Sequence, residues 1–300
     1  MKKIFLLVLL LFVLRVSAFS QTNGDFLKND SISSYLNKGF TDIYHYRFVE
    51  AEAVIKDFKY FHNKSPWPFL LATNLYWWRF ISGEENQTIL NQFNNNLKAC
   101  ETRLNTKDYK DNNNLFCLIM VYMYKARVKL LYKEYISTIN VVKKNINIVE
   151  KSFGRESVYE PFYMTTGLYN CLITAADDYV VMAPFKMFFP DGNKTTGHKY
   201  LGKTALSQNI CLFTESNYFL MKIWIEIEKR TDMAQKYAET LVKKYPENLL
   251  FRFHMYNVAK KNKQAALAAS QVESIKKQIT SNKQLNDAQR KYWQFAVSKM

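Results

Sequence analysis

Ala234, Tyr237, Ala238, Leu241, Val242 and Tyr245 fall at steps of three and four residues. That spacing puts side chains on one face of an α-helix. Ile136, Ile139, Val142, Ile146 and Val149 make a second stripe of the same kind. This rhythm constrains the fold more than any other feature, because so little interrupts it. The 300 residues contain only 8 Gly and 6 Pro, whereas a strand protein needs turn residues every 8–12 positions or so. The expected fold class is therefore all-α. Helices are expected near 31–45, 48–62, 68–82, 86–104, 113–132, 134–152, 157–179, 202–213, 215–229, 231–245, 249–262, 264–280 and 286–298. Gly83, Gly154 and Pro246 each follow a helical run, where a helix stops easily. Short connections make consecutive helices antiparallel neighbours. The segment 180–201, apolar and rich in breakers, is expected as an irregular insert.

Two stretches are apolar almost all round. One runs from Phe69 to Ile81 and includes Trp77, Trp78 and Phe80; the other, from Tyr218 to Ile227, includes Phe219, Leu220, Ile223 and Trp224. A helix with so wide an apolar face is covered on both sides, as in a stack of helix pairs. The aromatic residues read first as core and only second as a ligand cage.

The first 20 residues carry the pattern of an export leader. Lys2 and Lys3 precede an apolar run from Ile4 to Leu14, and Ala18 and Ser20 sit at minus three and minus one of a cut before Gln21. The run falls well short of the roughly 20 residues a spanning helix needs. Residues 21–300 are then expected as one helical repeat domain, exported to the periplasm or outer membrane of a Gram-negative bacterium. Loss of the leader removes Lys2, Lys3 and Arg15 and leaves +13 of the formal +16 charge. Such a balance favours acidic partners. Cys100 and Cys117 lie on either side of the polar stretch 105–114. In an exported chain they are either level across a hairpin and bridged, or buried as free thiols.

A 34-residue step links Ala234 to Ala268, and Tyr-Pro-Glu-Asn closes the first of the two segments at 245–248. Small residues at that interval, in paired helices of about 34 residues, resemble tetratricopeptide repeats. The resemblance is clearest over 215–248 and 249–281. It implies a stack of antiparallel helix pairs, an α-solenoid whose paired helices cross closely at alanine. Ala51, Ala53 and Pro66 echo it earlier in the chain.

A second resemblance rests on Phe162-Tyr-Met-Thr-Thr-Gly-Leu-Tyr169 and on Phe188-Phe189-Pro190-Asp191-Gly192-Asn193, followed by Gly197 and Leu201. These strings are similar to those of a group of exported bacterial repeat proteins with a Phe-Phe-Pro-x-Gly-Asp signature, themselves similar to the eukaryotic inclusion-body-clearance outer-membrane repeat family. Asn193 stands where the group carries an acid, so no role resting on that charge carries over. The resemblance implies a scaffold, not a reaction.

The stretch Gly192-Asn-Lys-Thr-Thr-Gly197-His198-Lys199 approaches a phosphate loop but lacks Gly-Lys-Ser/Thr after its last glycine. It is expected instead as a turn, with Gly192 and Gly197 free to take positive φ. His45, His62, His198 and His254 are scattered and lack metal-ligand spacing. Asp177 and Asp178 diverge by about 100° on a helix and form no acid–base pair. No enzyme, metal or cofactor is therefore expected. In the phase set by Ala234, Phe219, Ile223, Glu226, Phe253, Asn257 and Lys260 face a concave groove. Its apolar character and basic end suit an acidic protein or peptide; nucleic acid is not expected. The alternative is docking on an anionic membrane surface through the apolar segment 180–189.

Overall fold

The computed structural model describes residues 30–176, 185 and 187–300. The leader, the cut before Gln21, Asp177, Asp178 and most of the 180–186 stretch lie outside the described residues. Among the described residues the chain is all-α. Six pairs follow one another: α1 (Asp30–Tyr44) with α2 (Phe48–Phe61), α3 (Trp67–Ile81) with α4 (Gln87–Glu101), α5 (Asn112–Leu131) with α6 (Tyr135–Glu150), α7 (Pro161–Ala176) with α8 (Lys194–Thr204), α9 (Ile210–Glu226) with α10 (Thr231–Lys244), and α11 (Leu249–Lys261) with α12 (Ala265–Ser281). Helix α13 (Asp287–Ser298) ends the stack. Each helix of a pair packs most extensively on its partner.

The odd-numbered helices also touch one another, α1 with α3, α3 with α5, α5 with α7 and α7 with α9. Helix α9 then returns to α1, so five of these helices enclose a common interior. One apolar cluster runs from Leu36 to Trp293 and includes Leu71, Trp78, Phe116, Phe162, Met221 and Phe251.

Asparagine supplies much of the punctuation that glycine and proline do not. Asn86, Asn193, Asn209, Asn248 and Asn286 each accept a backbone N–H at the start of α4, α8, α9, α11 and α13, and Asp111 does so for α5. A side-chain cap of this kind satisfies one of the four unpaired donors at a helix start.

The turns within pairs share one geometry. Tyr46, Gly83, Lys133 and Lys263 each have positive φ at the end of an odd-numbered helix. In each, the residue's own N–H bonds three residues back, and the next N–H reaches five back, as in Glu134 N to Lys129 O at 2.9 Å and Gln264 N to Ala259 O at 2.9 Å. This is the Schellman closure. Lys229 (φ 55°) closes α9 in a slightly wider version, with Arg230 N bonded to Trp224 O. The first of these turns packs against the start of α11, where Asn248 Nδ2 donates to Tyr44 O (2.9 Å) and Leu250 N to Tyr46 Oη (3.2 Å).

The eighth and ninth helices differ from expectation. They span Lys194–Thr204 and Ile210–Glu226 rather than 202–213 and 215–229. Asn193 starts α8 early by capping Thr196 N at 2.8 Å, and Asn209 caps Cys211 and Leu212 to start α9. Residues 194–201 are thus helical, and Gly197 lies inside α8 rather than in a turn. Neither Gly192 nor Gly197 has positive φ.

Ala234 and Ala238 are fully buried, Ala268 nearly so, and Ala266 is exposed. Ala234→Leu is therefore expected to cost about 1–3 kcal/mol by overpacking, while Ala266→Leu stays within about 0.5 kcal/mol, as surface changes do. Both residues are good helix formers. Thermal melts of the two variants check this, and equal midpoints would refute the 34-residue phase.

Candidate functional site

The interior enclosed by α1, α3, α5 and α9 holds a carboxylate. Glu215, on the inward face of α9, is 1% exposed. Its Oε1 accepts hydrogen bonds from Tyr44 Oη (3.2 Å), Asn74 Nδ2 (3.3 Å) and Trp78 Nε1 (3.3 Å). Its Oε2 accepts from Arg127 Nη2 at 3.2 Å. Asn74 Nδ2 also donates to Tyr124 Oη at 2.6 Å. The Arg127 guanidinium lies over Phe219 (4.5 Å), Tyr124 (5.2 Å) and Trp77 (5.8 Å). Burial drives the phenols of Tyr44, Tyr124 and Tyr218 far above their ordinary range, so all three remain protonated. A buried charge is tolerated only when paired and hydrogen-bonded, and both conditions hold here. The arrangement braces four helices from different parts of the chain. A carboxylate so enclosed meets no solute at the surface.

Glu215 and Arg127 were not among the residues singled out from the sequence. A signal did exist, since each is a charge on an otherwise apolar helical stretch, Ile-Cys-Leu-Phe-Thr-Glu-Ser and Met-Tyr-Lys-Ala-Arg-Val. Nothing local says that the two meet.

The expected groove residues fall on neighbouring helices. Tyr218 of α9 touches His254 (5.7 Å) and Phe251 (6.2 Å) of α11. Phe219 and Phe253, 34 residues apart, are both half-buried, and Glu226 and Lys260, also 34 apart, are both exposed. Glu226 pairs with Lys222, and Lys260 Nζ donates to Tyr256 Oη at 3.1 Å. Asn257 is half-buried, but Ile223 is 3% exposed. Ile223 is therefore a core residue and not a groove residue, because α9 is covered on both sides by α1, α7 and α10.

The signature loop is pinned to α7. Phe189 packs with Ile139 and Ile146 of α6, Tyr169 Oη donates to Pro190 O at 2.6 Å, and Asn193 N donates to Asn170 Oδ1 at 2.7 Å. Phe188 is partly exposed beneath Lys143, whose Nζ lies 3.2 Å from the ring centroid, and Met187 is 84% exposed. A Cβ at Gly192 would come within 2.2 Å of Ile173 Cγ2, and one at Gly197 within 2.9 Å of Cys171 N and 3.0 Å of Gly167 O. The glycines therefore serve contact between α7, the loop and α8, not positive φ. Asn193 acts as a helix cap, a role asparagine fills as well as aspartate does.

All four cysteines are buried free thiols, and Cys100 and Cys117 are not bridged in this structure. Burial pushes the Cys100 thiol up to about 12 and raises Cys117 well above its usual range, so neither is a ready thiolate. The histidines are separate: His45 pairs with Glu247 (3.0 Å), His62 contacts Ser31 Oγ (3.1 Å), His198 stacks on Trp224 (4.5 Å), and His254 lies against Tyr218 and Phe253, where desolvation of the ring and the Lys222 charge lower its pKa to about 3. A polar cleft of about 330 Å3, lined by His45, Arg47, Glu247, Asn282 and Gln284, lies where the first turn of the stack meets its last helices. No group of three or more His, Cys, Asp or Glu among the described residues is placed to hold a metal ion. No family model, curated protein or solved structure matches the chain.

Proposed function

We propose that the chain is a non-catalytic, exported scaffold of the tetratricopeptide kind that binds an acidic, partly apolar protein or peptide across α9 and α11. The observation that carries this reading is the repetition of surface character at a 34-residue interval. Half-buried Phe219 and Phe253 lie beside exposed Glu226 and Lys260 on adjacent helices. Lys222, Lys260 and Lys261 give that face its basic end. Rigid repeat surfaces of this sort bind extended partners without ordering cost in the scaffold. The core brace at Glu215 holds α9 in place beneath this surface.

A double substitution, Asn257→Glu with Lys260→Glu, reverses the local charge at two positions that are not fully buried. Used as baits in an envelope extract, wild type is expected to retain a partner that the variant loses at least about tenfold, the equivalent of roughly 1.4 kcal/mol. Circular dichroism and melting temperature should be unchanged. Equal recovery with both baits, or none with either, would overturn the assignment.

Docking of residues 180–189 on an anionic membrane is the second reading. It is supported by the exposure of Met187 and Phe188, while Phe185 and Phe189 pack inward against α6 and α7. Residues 180–184 and 186 lie outside the described residues.

A further inference from the structure

Arg127 supplies the cation of the core brace, and Glu215 uses only part of it. Glu215 Oε2 takes one hydrogen bond, from Nη2 at 3.2 Å. Nη2 carries two hydrogens, so whichever of them points at Glu215, one edge of the guanidinium fork keeps two parallel donors. Nε and Nη1 donate to no side chain or backbone atom among the described residues, yet neither belongs to the buried polar atoms that lack a partner. The side chain is 15% exposed. The unused donors therefore face solvent at the edge of the interior.

The surroundings of that edge are apolar. The guanidinium lies over Phe219 of α9, Tyr124 of α5 and Trp77 of α3. Phe219 and Trp77 are half-buried, so each ring covers the cation and still shows part of itself to solvent. Rings so placed keep water from the charge and lower the local dielectric, which strengthens a charge-assisted hydrogen bond made there. A planar fork in this setting matches a carboxylate, whose two oxygens accept two parallel N–H bonds. Glu215 does not cancel the attraction, because its charge is shared with three neutral donors, Tyr44, Asn74 and Trp78. Glu226, the exposed acid further along α9, is held by Lys222.

We propose that Arg127 is a carboxylate-binding residue, whose free fork edge, framed by Trp77 and Phe219, receives an acidic group with an apolar side chain beside it. The carboxylate is either the C-terminus of a peptide or an internal acidic side chain. The site rests on the peptide-binding reading of α9 and α11, with which it shares Phe219, and names the group of the partner that is bound.

Three short peptides added to the full chain test this: acetyl-Leu-Phe with a free carboxylate, acetyl-Leu-Glu-Phe-amide, and neutral acetyl-Leu-Gln-Phe-amide. With arginine labelled by nitrogen-15, binding is read from the Nε–H resonance of Arg127, which is identified by its loss in Arg127→Lys. At least one acidic peptide is expected to bind about tenfold more tightly than the neutral one, and the tighter acid identifies the source of the carboxylate. Arg127→Lys keeps the charge but not the planar fork, and should weaken that binding several-fold. Glu215→Met with Arg127→Met replaces the pair by apolar groups and should abolish the preference for acid while the fold is kept. Glu215→Gln retains the shape and the Oε1 acceptor but removes the competing charge, so affinity for the acidic peptides should rise several-fold. A purely structural arginine would show no such gain. Equal affinity for acidic and neutral peptides, binding of neither acidic peptide, unchanged binding in Arg127→Lys, or no gain in Glu215→Gln would overturn the site. Asn257→Glu with Lys260→Glu leaves Arg127 in place and separates the two readings. Partner loss by that variant in the envelope extract, with equal affinity of wild type for the three peptides, removes the Arg127 site alone. Acid-selective binding at Arg127, with equal recovery by both baits, removes the wider α9–α11 surface alone.

Discussion

Glu215→Ala is expected to destabilise the protein by about 3–5 kcal/mol, the usual cost of removing one partner from a buried ion pair. The substitution leaves Tyr44, Asn74 and Trp78 with donors in the core that have lost their shared acceptor, and it leaves the guanidinium of Arg127 facing apolar rings without its counter-charge. Each buried donor without a partner carries a desolvation penalty of about 1–3 kcal/mol. Arg127→Met should cost a comparable amount by stranding the carboxylate. The double variant Glu215→Met with Arg127→Met should be less destabilised than the sum of the singles, because a buried pair replaced by apolar groups of similar size is often close to neutral. Urea unfolding followed by tryptophan fluorescence measures all three. A loss below about 1 kcal/mol for Glu215→Ala, near the center of ordinary single substitutions, would mean that the carboxylate is not the brace inferred from the geometry.

The second large effect is expected at Gly197. An alanine Cβ there would meet Cys171 Sγ at 2.6 Å, Cys171 N at 2.9 Å and Gly167 O at 3.0 Å. Two of these atoms belong to the backbone of α7, so α7 and α8 must move apart rather than a side chain turn aside. Overpacking of this sort costs about 1–3 kcal/mol, and Gly197→Val should cost more. Gly202 provides the control, since it lies in the same helix with open space where its Cβ would be. Gly202→Ala should stabilise by about 0.5–1 kcal/mol, the ordinary gain from removing glycine within a helix. Thermal melts of the two alanine variants should thus shift in opposite directions. A stabilised Gly197→Ala would show that the α7–α8 crossing does not require glycine.

Gly197 also explains why one boundary was misread from the sequence. A glycine flanked by polar residues looks like a turn, and the punctuation it shares with Gly192 places a loop at 192–201. The two uses of glycine, conformational freedom and close approach, leave the same letter in the sequence. Only the position of α7 across α8 distinguishes them. The left-handed lysines pose the converse problem. Lys133, Lys229 and Lys263 do the work often given to glycine after a helix, and lysine carries no sequence signal for that conformation. The 34-residue interval from Lys229 to Lys263 repeats that from Ala234 to Ala268, so the turn repeats in phase with the alanines.

The all-α architecture, the helix pairs, and the buried positions of Ala234 and Ala268 were legible from the amino-acid order because each depends on neighbours a few residues away. A stripe at steps of three and four specifies a helix and the face it buries, and a small residue on that face permits a close crossing whatever lies opposite. The closure of α9 onto α1, the brace joining residues 44, 74, 78 and 127 to Glu215, and the loss of Ile223 from the groove were decided by the tertiary structure. Tyr44 and Glu215 are separated by 171 positions. Their contact depends on the accumulated angle of every intervening helix pair, which local periodicity does not specify.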